Sequence, residues 1–139
     1  MPTGKQDKTR NQLVVVEKLI TRQNAASYAT AGAITYTAAD ILGGIIVRDC
    51  AGAGRSDVLP TAALLVAAMD RPCIGDVLTV GIINGSDAAE TITLGAGTGG
   101  TFDTNQTATS RVIPQNSSKD VYIRITGTVA GSEAYVVYA

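Results

Sequence analysis

Few side chains in this sequence could carry out acid–base or nucleophilic chemistry, because the 139-residue chain contains no histidine. A Ser-His-Asp or Cys-His arrangement therefore cannot form. Hydrolysis would need two carboxylates, and Asp87 and Glu90 are close in sequence. Both flank a predicted hairpin turn, where a carboxylate is most simply exposed to water. We therefore predict that the protein is not an enzyme.

A glycine-rich segment, GAGTGG at residues 95–100, has the glycine spacing of a dinucleotide-binding fingerprint. In that fingerprint the glycines open a helix, and the N-terminus of the helix binds the phosphates. The residues that follow here are TFDTNQ, which do not predict a helix. We interpret residues 95–100 as a loop and predict no cofactor and no small-molecule substrate.

Metal binding and disulfide formation are also not expected. Cys50 and Cys73 are too few and too far apart for a zinc site without histidine. The N-terminal residues do not resemble a secretion signal, so we expect two free, partly buried thiols. Asp40, Asp49 and Asp57 could converge on Ca²⁺, but their spacing does not match a known acidic loop. We predict no metal.

The composition is that of one β-rich domain. Apolar residues make up 45% of the chain and aromatic residues only 4%, and Val, Ile, Thr and Gly are frequent where Lys and Glu are scarce. A chain of this length can bury a core without metal or disulfide support. No apolar run approaches the roughly 18 residues that span a bilayer, so we expect no membrane association.

Strands follow one another at the short spacing of antiparallel all-β proteins. Residues 76–84 alternate, which places Leu78, Val80 and Ile82 on the core face. The Asn-Gly step after them favours a hairpin turn to a strand at residues 90–94. Further strands are predicted from Arg111 to Ile113, from Lys119 to Thr126 and from Ala134 to Tyr138. In the second of these, three residues should face inward: Val121, Ile123 and Ile125.

The segment before these strands should supply one core strand and one helix. The apolar run 41–47, with a bulge at its two glycines, is interpreted as a strand that ends at Arg48. Thr61 is a plausible N-cap for a helix at about residues 61–70. The predicted fold is all-β: a single antiparallel β-sandwich domain with one short helix and an extended N-terminal arm.

The arm differs from the rest of the chain in charge. The first 25 residues carry a net charge of +3, which leaves −4 for the remainder of a chain whose net charge is −1. Residues 21–33 lack periodicity and are interpreted as a linker, so we assign residues 1–32 to the arm and linker and residues 33–139 to a compact β domain. The arm lacks the stacking aromatics of a nucleic-acid binder, and no nucleic-acid partner is predicted.

An apolar β-branched run in the arm is suited to pair with a strand of another chain or of its own sheet. We predict that the arm binds a protein partner through this run and its flanking cations. The predicted partner-binding residues are Leu13, Val14, Val15, Val16, Lys18, Leu19, Ile20 and Arg22.

Several segments together resemble small virion proteins of tailed bacteriophages, mostly capsid decoration (cement) or head-fibre proteins. They are ITYTAADILGGIIVR at 34–48, DVLPTA at 57–62, AAETIT at 88–93, GAGTGG at 95–100 and GSEAYVVY at 131–138. The resemblance implies a homotrimer of jelly-roll-like β domains that binds the major capsid protein on the outside of the head and stabilises the shell. It also implies a location in the virion after synthesis in the host bacterial cytoplasm.

The alternative is a trimeric fibre or spike domain that binds a host receptor or glycan. Such a domain needs aromatic and acidic residues clustered on one exposed surface. Tyr28, Tyr36 and Tyr122 are too scattered in sequence to establish that cluster.

Overall fold

The computed structural model describes residues 24–139, which form two β-sheets and two short α-helices. The protein is therefore a small β-rich domain. The helices are α1 (Ala38–Gly43) and α2 (Ala62–Ala68). The strands are β1 (Asn24–Tyr28), β2 (Gly44–Arg48), β3 (Arg55–Val58), β4 (Val77–Asn84), β5 (Ile92–Gly95), β6 (Gly100–Phe102), β7 (Val112–Ile113), β8 (Ser118–Gly127) and β9 (Ala134–Tyr138).

The larger sheet has the strand order β1-β2-β4-β8-β9-β6, and the smaller sheet has the order β3-β5-β7. The predicted antiparallel arrangement holds for β4–β8, β8–β9 and β5–β7. It is wrong for β1–β2, β2–β4, β3–β5 and β6–β9, which are parallel. Parallel neighbours need a crossover connection, and α1 lies in the crossover from β1 to β2.

Helix α1 corrects two predictions, because the structure has a second short helix where the first part of the bulged strand was expected. Residues 44–48 do form a strand, as predicted for the second part. Thr37 Oγ1 accepts a hydrogen bond from the Asp40 backbone N–H at 3.1 Å, and Asp40 Oδ2 accepts one from the Thr37 N–H at 2.8 Å. This reciprocal capping box starts the helix. Gly44 ends it with a φ of 84°, and β2 begins at the same glycine.

Helix α2 confirms the predicted helix and its cap. Thr61 Oγ1 accepts a hydrogen bond from the Leu64 N–H at 3.3 Å. Ala62, Leu65 and Val66 are the buried side chains of the helix. Within residues 24–139 no helix has the length and apolar character needed to cross a membrane.

The predicted hairpin between residues 76–84 and 90–94 is wrong. Strand β4 lies in the larger sheet and β5 in the smaller one, so their connection crosses between sheets. Asn84 does not adopt the positive φ of a hairpin turn. Its buried Nδ2 instead donates to the carbonyl oxygens of Glu90 and Ile113, both at 2.9 Å, which stabilises the crossing.

Residues from both sheets and both helices form one hydrophobic core. The predicted inward residues of β8 are all fully buried: Val121, Ile123 and Ile125. Val80 and Ile82 of β4 are buried as predicted, and Leu78 packs against the core. Residues 24–28, predicted to belong to a linker, form β1 at the edge of the larger sheet. The linker interpretation is wrong for these residues.

Candidate interaction surface

The predicted partner-binding residues of the arm, from Leu13 to Arg22, lie outside the described residues. The described chain starts at Asn24, at the beginning of β1. Among residues 24–139, β1 is an edge strand of the larger sheet, and its one neighbour there is β2. The arm is therefore joined directly to one edge of the larger sheet.

On the side away from β2, no strand within residues 24–139 pairs with β1, so its backbone groups there can pair with an incoming strand. The sequence of β1 is NAASY, without the lysine or proline that commonly protects an edge strand from pairing. All five of its residues are in parallel register with residues 44–48 of β2. An incoming strand could therefore extend the larger sheet at this edge.

The face of the larger sheet that points away from the core is here called the outer face. The register of the strands places alternate residues of each strand on it. Its members are Ala25, Ser27, Ile45, Val47, Val77, Thr79, Gly81, Ile83, Thr101, Ser118, Asp120, Tyr122, Arg124, Val136 and Tyr138.

The outer face is more apolar than a solvated sheet face. Val77, Tyr122 and Ile83 are 54%, 45% and 39% exposed. Of the residues that make up this face, only Asp120 and Arg124 are charged. An extended apolar surface with so few long charged side chains is typical of a contact between proteins.

A second apolar surface is an open groove of about 540 Å³ between the two helices. Ala38 and Ala39 line one side, and Leu64, Ala67 and Ala68 line the other. Leu64 is 61% exposed. Thr35, Tyr36 and Thr37 complete the lining, which has few exposed polar groups.

A buried ion pair fixes the segment that connects β1 to α1. Arg48 Nε donates to Asp57 Oδ2 at 2.8 Å, and both side chains are fully buried. The guanidinium also donates to the carbonyl oxygens of Thr30 and Gly32. Asp57 Oδ1 accepts from the Ile34 N–H at 3.0 Å. These contacts fix the backbone of residues 30–34, between β1 and α1.

Two tyrosines support the same region. Tyr36 Oη donates to Asp57 Oδ2 at 2.9 Å, and burial together with the nearby charge of Asp57 raises the pKa of Tyr36. Tyr28 Oη donates to Asp40 Oδ2 at 2.7 Å. That hydrogen bond, with partial burial and the charge of Asp40, raises the pKa of Tyr28 to about 12. Neither phenol is activated as a base near neutral pH.

The glycine-rich segment 95–100 includes a connecting loop between β5 and β6, and its glycines serve close packing. A Cβ on Gly97 would lie 2.5 Å from the carbonyl oxygens of Leu59 and Pro60. A Cβ on Gly100 would lie 2.2 Å from the ring of Tyr135. Tyr135 Oη accepts from the Gly97 N–H and donates to the Pro60 carbonyl oxygen, both at 2.9 Å. Backbone approach accounts for this glycine pattern.

The acidic residues that lie close together are not the three that the sequence analysis considered. Asp40 caps α1 and Asp57 pairs with Arg48, so these two do not converge with Asp49. Asp49 lies instead beside Asp87 and Glu90, and one carboxylate oxygen from each lies within 4.8 Å of the others. Glu90 was expected to be solvated, but it is only 4% exposed. Only the folded chain could reveal this cluster, since Asp49 and Asp87 are 38 positions apart in the chain.

Both cysteines are free, as predicted, but neither shows the predicted partial burial. Cys50 is buried and Cys73 is exposed. Their surroundings differ as well. The Cys50 N–H donates to Ser86 Oγ at 2.9 Å, and the Cys73 N–H donates to Asp76 Oδ2 at 2.8 Å.

Comparisons with models of protein families, with curated proteins and with solved structures gave no match.

Proposed function

We propose that the protein is a structural virion protein: a capsid decoration (cement) protein that binds the outer surface of a tailed-phage head as a homotrimer and stabilises the shell. The observation that carries this proposal is the apolar outer face of the larger sheet. A face with two charged residues among its outward positions is suited to contact protein. The sequence resemblance to phage decoration proteins supports the same role.

In this proposal, two further copies arranged around a three-fold axis cover the outer face. Val77, Ile83 and Tyr122 would then lose their exposure to water, at a gain of about 25 cal/mol for each Å² of apolar surface. Asp120 and Arg124 carry opposite charges, so a neighbouring copy can compensate both. As part of the same proposal, the two sheets enclose the core as a jelly-roll-like sandwich.

The arm fastens the trimer to the capsid. Its net charge of +3 over the first 25 residues favours an acidic protein surface. Its apolar residues from Leu13 to Ile20 precede the edge strand β1 by only a few positions. They are therefore well placed to pair with a strand of the major capsid protein while the trimer body stays rigid.

The test is rebinding of the purified protein to phage heads that lack it. Full-length protein should decorate such heads and raise the temperature at which they release DNA. Replacement of Val14, Val16 and Ile20 by serine should reduce binding at least about tenfold, since burial of each such side chain contributes about 1.5–3 kcal/mol. Replacement of Thr3, Gln6 and Asn11 by serine is the matched control. Failure of the full-length protein to bind any head would overturn the proposal.

One observation favours the alternative function of a fibre or spike domain. Tyr122 and Tyr138 are direct neighbours across β8 and β9 on the outer face. Two neighbouring tyrosines on an open sheet can stack on the apolar face of a sugar ring. A glycan array would separate the two functions: specific binding that is lost in Tyr122→Ala supports the spike function, and head binding without glycan binding supports decoration.

A further inference from the structure

We propose that Asp49, Asp87 and Glu90 form a binding site for a hard divalent cation, with Ca²⁺ as the preferred ion. The site lies where the loop after β2 meets the connection from β4 to β5. This inference is independent of the proposed function, and it differs from the sequence interpretation, which predicted no metal.

The three carboxylates lie close enough together to bind the same ion. One oxygen from each of the three residues lies within 4.8 Å of the others. Ca²⁺ binds oxygen at about 2.3–2.6 Å, so two ligands of one ion are separated by at most roughly 5 Å. Mg²⁺ binds at about 2.0–2.1 Å, needs near-octahedral geometry and retains its water molecules, so a site of three protein carboxylates suits it less well than Ca²⁺.

Glu90 supplies the observation that points to a ligand. Its side chain is only 4% exposed. Oε1 accepts a hydrogen bond from the Gly52 N–H at 2.8 Å. Oε2 is buried and has no hydrogen-bond partner among the described residues. A buried carboxylate oxygen without a partner is costly, and buried charges normally pair or coordinate a metal.

The surrounding charges leave the cluster uncompensated. Within residues 24–139 the only ion pair is that of Arg48 with Asp57. The nearby Arg55 donates instead to the carbonyl oxygens of Cys50 and Ala51. Three carboxylates within 4.8 Å of one another repel, and a bound divalent cation removes that repulsion.

The three residues differ in access to solvent in a way that suits an exchangeable ion. Glu90 is buried, Asp49 is half-buried and Asp87 is exposed. Water can complete the six to eight oxygen ligands of Ca²⁺ on the exposed side. A site with three protein carboxylates and an open side should be weak, with a Kd of about 10⁻⁴–10⁻³ M.

A bound ion would join two segments that the fold brings together. The Cys50 N–H already donates to Ser86 Oγ, and the Gly85 N–H donates to the Arg48 carbonyl oxygen at 2.9 Å. The connection after β4 carries the chain from the larger sheet to the smaller one. Ca²⁺ would therefore stabilise the contact between the two sheets.

The test uses the full-length protein, freed of metal with EGTA and then titrated with CaCl₂ or MgCl₂ at constant ionic strength. We expect 10 mM CaCl₂ to raise the melting temperature by about 3–8 °C, and MgCl₂ to raise it by less than half as much. Isothermal titration calorimetry should show one Ca²⁺ for each chain. Absence of both effects would overturn the proposal.

Two variants and a control locate the ion. Asp87→Asn, at an exposed position, and Glu90→Gln, a nearly isosteric change, should each weaken Ca²⁺ binding at least about tenfold. Asp70→Asn should bind as the wild type does, because Asp70 is exposed and outside the cluster. Unchanged binding in Asp87→Asn would place the ion elsewhere and overturn the assignment.

The melting temperature without metal tests whether Glu90 serves to bind an ion or only to stabilise the fold. In EGTA, Glu90→Gln should melt at the same temperature as the wild type or higher, because the change removes a buried charge beside two other carboxylates. A clearly lower melting temperature in EGTA would show that the Glu90 charge is satisfied without metal, and would contradict the proposal.

Discussion

Arg48 and Asp57 form a fully buried ion pair, with 2.8 Å between Nε and Oδ2. The pair joins the end of β2 to β3, and so connects the larger sheet to the smaller one. The other hydrogen bonds of the two side chains reach the segment between β1 and α1. The one exception is the bond from the Arg48 guanidinium to the carbonyl oxygen of Asp49, directly after β2. Burial of both charges is favourable only because these hydrogen bonds are made together.

Removal of one partner should therefore destabilise the fold strongly. We expect Asp57→Ala to lower the free energy of unfolding by about 3–5 kcal/mol, because it leaves the Arg48 guanidinium buried without a counter-charge. Chemical denaturation with urea measures this difference. Asp70→Ala, at an exposed position, is the control and should change stability by less than about 0.5 kcal/mol. Equal stability of the two variants would contradict this account of the ion pair.

The glycine-rich segment gives a second prediction about stability. Gly97→Ala should lower the free energy of unfolding by about 3 kcal/mol or more, since its Cβ would lie 2.5 Å from two backbone oxygens that cannot move independently. Gly95→Ala is the matched control, because its nearest contact is an ordinary 3.5 Å from Val58 Cγ2. Thermal denaturation of both variants tests the difference. A tolerated Gly97→Ala would mean that close packing does not explain this glycine.

Periodic segments with one buried face were predictable from sequence. Strands β4, β8 and β9 and helix α2 lie where alternation and the Thr61 cap placed them. Helix α1 was missed although its capping signal, Thr37 with Asp40 three residues later, is present in the sequence. The apolar run at residues 41–47 led us to predict a strand there instead. A run of that kind fits a buried helix turn as well as a strand.

The remaining errors arose from long-range pairing. The Asn84-Gly85 step is a strong hairpin signal. Hydrogen bonds from the Asn84 side chain to the carbonyl oxygens of Glu90 and Ile113 compete with the turn. The outer face and the acidic cluster combine residues far apart in the chain, such as Ile45 with Tyr122 and Asp49 with Glu90. Local periodicity contains no information about which strands are neighbours.

Alkaline pH should destabilise the protein through its tyrosines. The pKa of Tyr28 is raised from 10.0 to about 12, chiefly by its hydrogen bond to Asp40. The folded state therefore holds the phenol proton more tightly than the unfolded state does. This contribution to stability is complete below pH 10 and is lost as pH rises toward 12. The pKa of Tyr36 is raised in the same direction by burial and by Asp57.

The urea midpoint measured between pH 8 and pH 12 checks this expectation. The wild type should lose stability steadily above pH 10, and Tyr28→Phe should lose less over the same interval, because it has no phenol proton at this position. Tyr138→Phe serves as the control for removal of a hydroxyl from a half-buried tyrosine. An identical pH dependence in wild type and Tyr28→Phe would contradict the assigned role of the Asp40 contact.

The proposed trimer gives the last prediction, which concerns the outer face. Tyr122 is 45% exposed and lies between Thr79 and Tyr138 on neighbouring strands. We expect Tyr122→Lys to raise the dissociation constant of the trimer at least about a hundredfold, because three lysines would be brought together near the three-fold axis. The monomer should remain folded, since the new charge faces water in the isolated chain.

Sedimentation velocity at micromolar concentration measures the oligomeric state, and circular dichroism confirms the fold. Val129→Lys is the matched control: Val129 is 70% exposed but lies in the connection between β8 and β9, away from the outer face. It should leave the trimer intact. If Val129→Lys dissociates the trimer and Tyr122→Lys does not, the copies meet at the end of the sheet and the outer face is free for another partner. A monomeric wild type would remove the trimer from the proposal altogether.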